Sequence, residues 1–220
     1  MFDAKLWGLL GQGTLETLYM VIASTAMAYV LGLPLGVLLV VTDRGGIKPK
    51  PVFSKILGIA INLLRSVPFI ILLIAITPLT RAIVGKAIGT SATVIPLIVS
   101  AAPFVARMVE SSMKEIDRGV VEAARSMGAG TMQIICKVLL PEAKPSLIVG
   151  SAIAITTILG YTAMAGFVGG GGLGQIAISY GYNQYRTDVM LITVFLIVII
   201  VQLFQEIGMR ITKKVDKRLN

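Results

Sequence analysis

The chain contains no histidine and only one cysteine, Cys136, in 220 residues. The first absence removes imidazole as a metal ligand and as a general base near neutral pH. The second excludes an internal disulfide and a cysteine-rich metal centre, so no metal site is expected. Cys136 itself reads as a small apolar residue on a short helix. Acidic residues are also scarce, 11 against 20 lysines and arginines. Glu16, Asp43, Glu110, Glu122, Glu142, Asp188 and Glu206 all fall at or beyond the ends of apolar stretches. That placement leaves an ion-coupled carrier without a self-sufficient set of intramembrane acids, and an intramembrane aspartyl enzyme without its pair. No G-x-x-x-x-G-K-[ST] motif occurs, so the chain lacks the usual ATP cradle. The run Gly169 to Gly174 matches G-x-G-x-x-G formally, but no strand precedes it and no βαβ unit surrounds it. A dinucleotide site is therefore rejected.

What the chain has in abundance is apolar length. Hydrophobic residues make up 55%, and the mean hydropathy is +0.87. Several runs approach the roughly 20 residues needed to cross a bilayer as a helix. They are continuous rather than alternating, which argues against a β-barrel. The class is an all-α polytopic membrane protein whose solvent is lipid. Five transmembrane helices are expected, at about 17–41, 56–78, 91–109, 146–167 and 188–208. Gly32, Pro34 and Gly36 interrupt the first late, and Pro68 sits inside the second. No cleavable signal peptide is expected, and residues 1–12 read as a short extracytoplasmic segment ahead of a membrane domain at 13–209. A basic tail occupies 210–220.

The net charge of +9 would suggest nucleic acid in a soluble protein. Its distribution points elsewhere. Arg44, Lys48, Lys50 and Lys55, then Lys114, Arg118, Arg125, Lys137 and Lys144, then Arg210, Lys213, Lys214, Lys217 and Arg218 occupy one set of alternate segments. The other set holds only Lys5, Arg81, Lys86 and Arg186. The positive-inside bias places the first set in the cytoplasm, so the N-terminus is expected outside and the C-terminus inside. No nucleic-acid partner is expected.

The longest polar interval, about 110–145, then falls in the cytoplasm. Asp117 is a plausible N-cap for a short helix, Arg118 to Met127. Gly128 and Gly130 break it. Thr131 is expected to cap a second short helix, Met132 to Leu140, which Pro141 ends. Val120, Val121, Ala124 and Met127 are expected on one face, with Glu122 and Arg125 paired. Taken alone, this is a solvated loop with helical turns or a docking surface. The spacing favours the second: Glu122-Ala123-Ala124, three residues, Gly128, nine residues, then Val138-Leu-Leu-Pro141. It resembles the signature loop of ABC importer permeases, EAA, three residues, G, nine residues, I-x-L-P, with Val138 replacing isoleucine.

Two charges fall within or near apolar spans. A mid-bilayer arginine costs about 2.5 to 3.5 kcal/mol on insertion scales. Arg107 has Glu110 one turn away and reads as a structural pair. Arg65 precedes Pro68, whose ring frees a backbone carbonyl, and Arg65-Ser-Val-Pro68 resembles the Arg-Gly-Thr-Pro of amino-acid ABC permeases. Tyr161, Thr162 and Met164 alternate with small residues in the fourth span and form either ordinary helix packing or a gate. The glycine run after that span is either a docking surface for an extracytoplasmic partner or a flexible turn.

Asn62 to Leu73, Ala102 to Glu110, Lys137 to Glu142, Gly160 to Met164, Gly171 to Ile176 and Tyr180 to Tyr182 together make the chain similar to the permeases of bacterial methionine ABC importers. The resemblance implies the type I ABC importer transmembrane domain in the bacterial plasma (inner) membrane, and a homodimer. It also implies two cytoplasmic ATPase subunits, which hold ATP and Mg, and an extracytoplasmic substrate-binding protein, often a lipoprotein. No cofactor and no catalytic residue is implied on this chain. Glu122, Ala123, Ala124, Arg125, Gly128 and Pro141 would couple to the ATPase. Arg65, Pro68, Tyr161, Thr162 and Met164 are candidates for the path or its gate.

Overall fold

The computed structural model describes residues 4–215, and among them every regular element is helical. Lys217 and Arg218 of the expected basic tail lie outside the described residues.

Helix α1 (Ala4–Thr42) is a single element of 39 residues. At 1.5 Å per residue that is about 58 Å, nearly twice a bilayer's hydrocarbon core. From Ala4 onward, the segment expected ahead of the first span is instead the opening turns of this helix. Leu6 and Leu10 explain the extension: both are buried, and their packing overrides the low helix propensity of Gly8, Gly11 and Gly13. Further along, Gly32 and Gly36 meet α5 (Thr90–Lys114). A Cβ on Gly32 would lie 2.7 Å from the Ala102 carbonyl oxygen, and one on Gly36 would lie 2.6 Å from that of Ala106. Only glycine permits that approach. The two contacts advance together along both helices, so α1 and α5 run parallel.

The second expected span is not one helix. It divides into α2 (Pro51–Ser66), α3 (Phe69–Ala75) and α4 (Thr77–Val84), with a bend of 99° between α2 and α3. The cause is Pro68, which has no N–H to give and pushes its predecessor out of the helical region. Val67 accordingly adopts φ −78°, ψ 123°.

After α5 come α6 (Arg118–Ser126) and α7 (Thr131–Ile134). A π-helical turn (Ile135–Leu139) then runs directly into α8 (Leu140–Ala165). The expectation that Pro141 ends the second short helix is therefore overturned, since it lies in the first turn of α8. A proline ring clashes with the carbonyl four residues back, here that of Lys137. The widened turn absorbs this: Leu140 N–H donates to the Ile135 carbonyl, five residues back. Beyond α8 lie α9 (Gly172–Ile176), a second π-helical turn (Ala177–Tyr182) and α10 (Thr187–Val215).

The core runs along α1, α5 and α8. Met20, Val21, Ala28, Leu97, Val105, Val109, Ile158 and Leu159 are no more than 1% exposed. The outer surface is equally apolar: Leu191, Phe195 and Leu203 of α10 are all more than half exposed. In water that face would aggregate; in lipid it is in its own solvent. Among the described residues, four helices are long and apolar enough to cross a membrane, or up to five if the bent α2–α3 pair is one span.

Candidate functional site

Local chemistry defines both ends of α6. The Asp117 carboxylate accepts from the Gly119 N–H at 2.7 Å, so the expected N-cap is present. At the other end Gly128 N–H donates to the Arg125 carbonyl at 2.9 Å, and Ala129 N–H to the Ala124 carbonyl at 3.0 Å. That pair of bonds is a Schellman cap, which needs a left-handed residue where Gly128 stands. Gly128 has φ +79°, and a Cβ there would meet nothing within 4 Å. Glycine is thus required by backbone conformation and not by crowding. The second cap differs from expectation. Gly130 occupies the N-cap position, and its N–H donates to Gln133 Oε1 at 2.8 Å, with Thr131 already inside α7.

The four apolar residues expected on one face of this helix divide. Ala124 is buried and Val121 packs beside it in the core. Val120 and Met127 face out, Met127 at 81% exposure, and Met132 joins them from α7 at 71%. Among the described residues no ion pair joins Glu122 to Arg125. The Arg125 guanidinium instead donates to the Ile47 carbonyl in the α1–α2 connection. Sequence spacing shows a charge partner one turn away but carries no sign of a carbonyl 78 positions upstream. A cavity of about 490 Å³ lies between that connection and α6, lined in part by Asp43, Lys114, Arg118, Glu122 and Arg125.

The result is an exposed apolar surface in two arms, with Val120, Ala123 and Met127 on α6 and its C-terminal cap and Met132 on α7. Its second arm continues without a break into a long apolar helix. Such a part can receive a push from a partner and pass it along α8. Pro141 is exposed at the joint.

The candidate path residues separate into two sets. Phe69, which the sequence argument overlooked, stacks on Tyr161 with ring centroids 4.6 Å apart and planes 7° from parallel. Pro68 is thereby brought to α8. The Arg65 guanidinium carbon lies 6.0 Å from the Phe104 ring centroid, within cation–π range. Gly160 and Met164 share an exposed face of α8, and Met164 is 48% exposed. Thr162 points away from that face. It is buried, and its hydroxyl donates to the Leu159 carbonyl at 2.7 Å.

The glycine run at the opposite end is no flexible turn. Gly170 to Gly174 are buried. Glu16 Oε2 accepts from Gly172 N–H at 2.8 Å, Thr17 Oγ1 from Leu173 N–H at 2.9 Å, and Gln175 Oε1 from Gly171 N–H at 2.8 Å. Thr93 donates to the Gly170 carbonyl at 3.1 Å. Side chains of α1 thus cap the start of α9.

Residues 28–220 match the family of binding-protein-dependent transport system inner membrane components. The chain belongs to that family: it is a permease component of the inner membrane. It is 47% identical to the probable D-methionine transport system permease protein MetI of Vibrio cholerae, over 96% of this chain and 93% of that one. It is 42% identical to the methionine import system permease protein MetP of Bacillus subtilis, over 97% and 95%. Among solved structures, an inward-facing conformation of the MetNI methionine ABC transporter superposes with a TM-score of 0.97 at 47% identity. That match covers 98% of this chain and 100% of the other.

Proposed function

We propose that this chain forms the translocation path for L- and D-methionine in an ATP-driven importer. In this reading two copies of it sit with two cytoplasmic ATPase subunits and an extracytoplasmic substrate-binding protein. ATP and Mg belong to the ATPases, and the permease does no chemistry. The single observation that supports the coupling role most is the continuity from the exposed Met127 and Met132 platform through α7 and the π-helical turn into α8. The names of the relatives, at 42% to 47% identity along nearly the whole chain, support the substrate.

A five-crossing arrangement, N-terminus outside, is favoured by the parallel course of α1 and α5. The connection between them must return from the basic end to the opposite end, and α2, α3 and α4 are the helices available. The basic loops then face the cytoplasm. Glu122, Ala123, Ala124, Arg125, Gly128 and Pro141 serve the ATPase contact, Ala124 and Gly128 by shaping the helix and not by touching the partner. ATP must favour one arrangement of the ATPases for the permease to change state, since a ligand shifts an equilibrium only by its differential affinity.

The test is a pull-down of the tagged permease from solubilised native membranes. Copurification of a Walker-type ATPase and a binding protein that takes up methionine is the expected result. A chain that comes down alone and moves solute in liposomes without ATP would make it an autonomous carrier. A binding protein selective for another amino acid would overturn the substrate.

A further inference from the structure

Helix α2 is weakly held by apolar contact. It buries only Gly58 and Ile61, while Val52, Phe53, Ile56, Ile59, Leu63 and Leu64 are exposed. Yet it carries Arg65 and leads into the break at Pro68. Besides the Ser54 hydroxyl, which donates to the Leu39 carbonyl of α1 at 3.4 Å, and the Arg65–Phe104 contact, its polar ties come from one side chain of α5. Arg107 Nε donates to Asn62 Oδ1 at 3.1 Å, and Arg107 Nη2 donates to the Gly58 carbonyl at 2.7 Å. A Cβ on Gly58 would lie 3.1 Å from Nη2, so the missing side chain makes room for the guanidinium.

The third nitrogen faces the other way. Arg107 Nη1 bonds Glu110 Oε2 at 2.5 Å, and Glu110 Oε1 accepts from Lys114 Nζ at 2.8 Å. Lys114 also bonds Asp43 Oδ2 at 3.0 Å. Asp43 opens the α1–α2 connection, and Ile47 of the same connection accepts from Arg125 of α6. The contacts form one unbroken path from α6 to α2. The Glu110 side chain is only 12% exposed, where charge-assisted bonds are strengthened and a lost partner is costly.

We infer that Arg107 is a positioning residue for transport, tying the broken helix α2 to the coupling helix α6 through Glu110, Lys114 and Asp43. Movement of α6 is then delivered along two routes, to α8 through the π-helical turn and to α2 through this chain of charges. The inference rests on the importer reading above. Because all three guanidinium nitrogens are used in a planar fork, lysine cannot replace the arginine.

The test uses the complete complex of permease, ATPase and binding protein in liposomes, reading methionine uptake per ATP hydrolysed. Arg107→Lys and Asn62→Leu are expected to lower that ratio about threefold to tenfold in assembled complexes. Asn62→Asp keeps the acceptor and is expected to retain the wild-type ratio. Should Arg107→Lys fail to assemble, Asn62→Leu decides, because Asn62 lies on the exposed side of α2. An unchanged ratio in assembled Asn62→Leu overturns the inference, as does an equal fall in Asn62→Asp. Absent methionine uptake by the wild-type complex would overturn the substrate reading instead. The variants would then still be ranked by permease-dependent ATP hydrolysis.

Discussion

The molecule has two glycine-rich joints, one at each end, and they use glycine for opposite purposes. At the basic end Gly128 stands in open space with φ +79°, closing a helix so that Met127 and Met132 project outward. At the opposite end Gly172 has φ +71° as well, but a Cβ there would lie 2.5 Å from Thr17 Oγ1. The first joint presents a surface, and the second is locked beneath α1 by Glu16, Thr17 and Gln175. Two glycines with similar positive φ therefore carry unequal tolerance: one joint is limited by strain alone, the other by strain and contact together.

Substitution sharpens the contrast. Gly172→Val should be the most damaging change to stability, costing about 3 kcal/mol or more through a strained φ and a clash with Thr17. A lower melting temperature of the purified permease in detergent would show it, and a wild-type melting curve would mean the joint is less tightly packed than it stands here. Gly128→Ala should cost only about 1 kcal/mol, the left-handed penalty without a clash. Gly128→Asp should likewise insert and fold, because aspartate tolerates the left-handed region. It should nonetheless cut copurifying ATPase about tenfold, since it sets a charge beside Met127 in a surface that must be desolvated. Wild-type ATPase recovery with that variant would remove the docking role from this joint.

The smallest expected effect belongs to pH and falls at the basic end. The hydrogen bond from Lys114, with help from the Arg44 backbone N–H, holds the Asp43 carboxyl below its ordinary value of 3.8. A depressed carboxylate stabilises the fold above its unfolded pKa and loses that contribution as pH falls through the lower folded value. The connection that receives Arg125 should loosen as pH drops below about 4, lower hydrogen-exchange protection at 44–50, relative to the intrinsic rate at each pH, being the readout. Asp43→Asn should abolish that dependence.

Much of α6 was readable in advance because its signals are local. Asp117 caps the helix that begins beside it, and Gly128 terminates that helix through bonds reaching no further back than Ala124. The Arg107–Glu110 pair is one helical turn. By contrast, nothing near Arg125 announces Ile47, and nothing near Gly172 announces Glu16. The same limit explains Pro141. Proline within a short polar helix reads as a stop, but the π-helical turn before it lets the helix pass.

From the sequence alone came the membrane class, most of the apolar helices, the basic end and the short helix opened by Asp117 and closed by Gly128. Each depends on composition or on residues within a few turns of one another. The tertiary structure decided what each break in the pattern does. Pro68 breaks the helix between α2 and α3, which are bent by 99°, and the stacking of Phe69 on Tyr161 sets where α3 lies after the break. Pro141 is absorbed, the glycine run is buried, and Arg107 becomes the fastening of a helix with few apolar contacts of its own. Those outcomes depend on which distant groups are present to satisfy an open carbonyl, N–H or guanidinium, and only the folded chain brings them together.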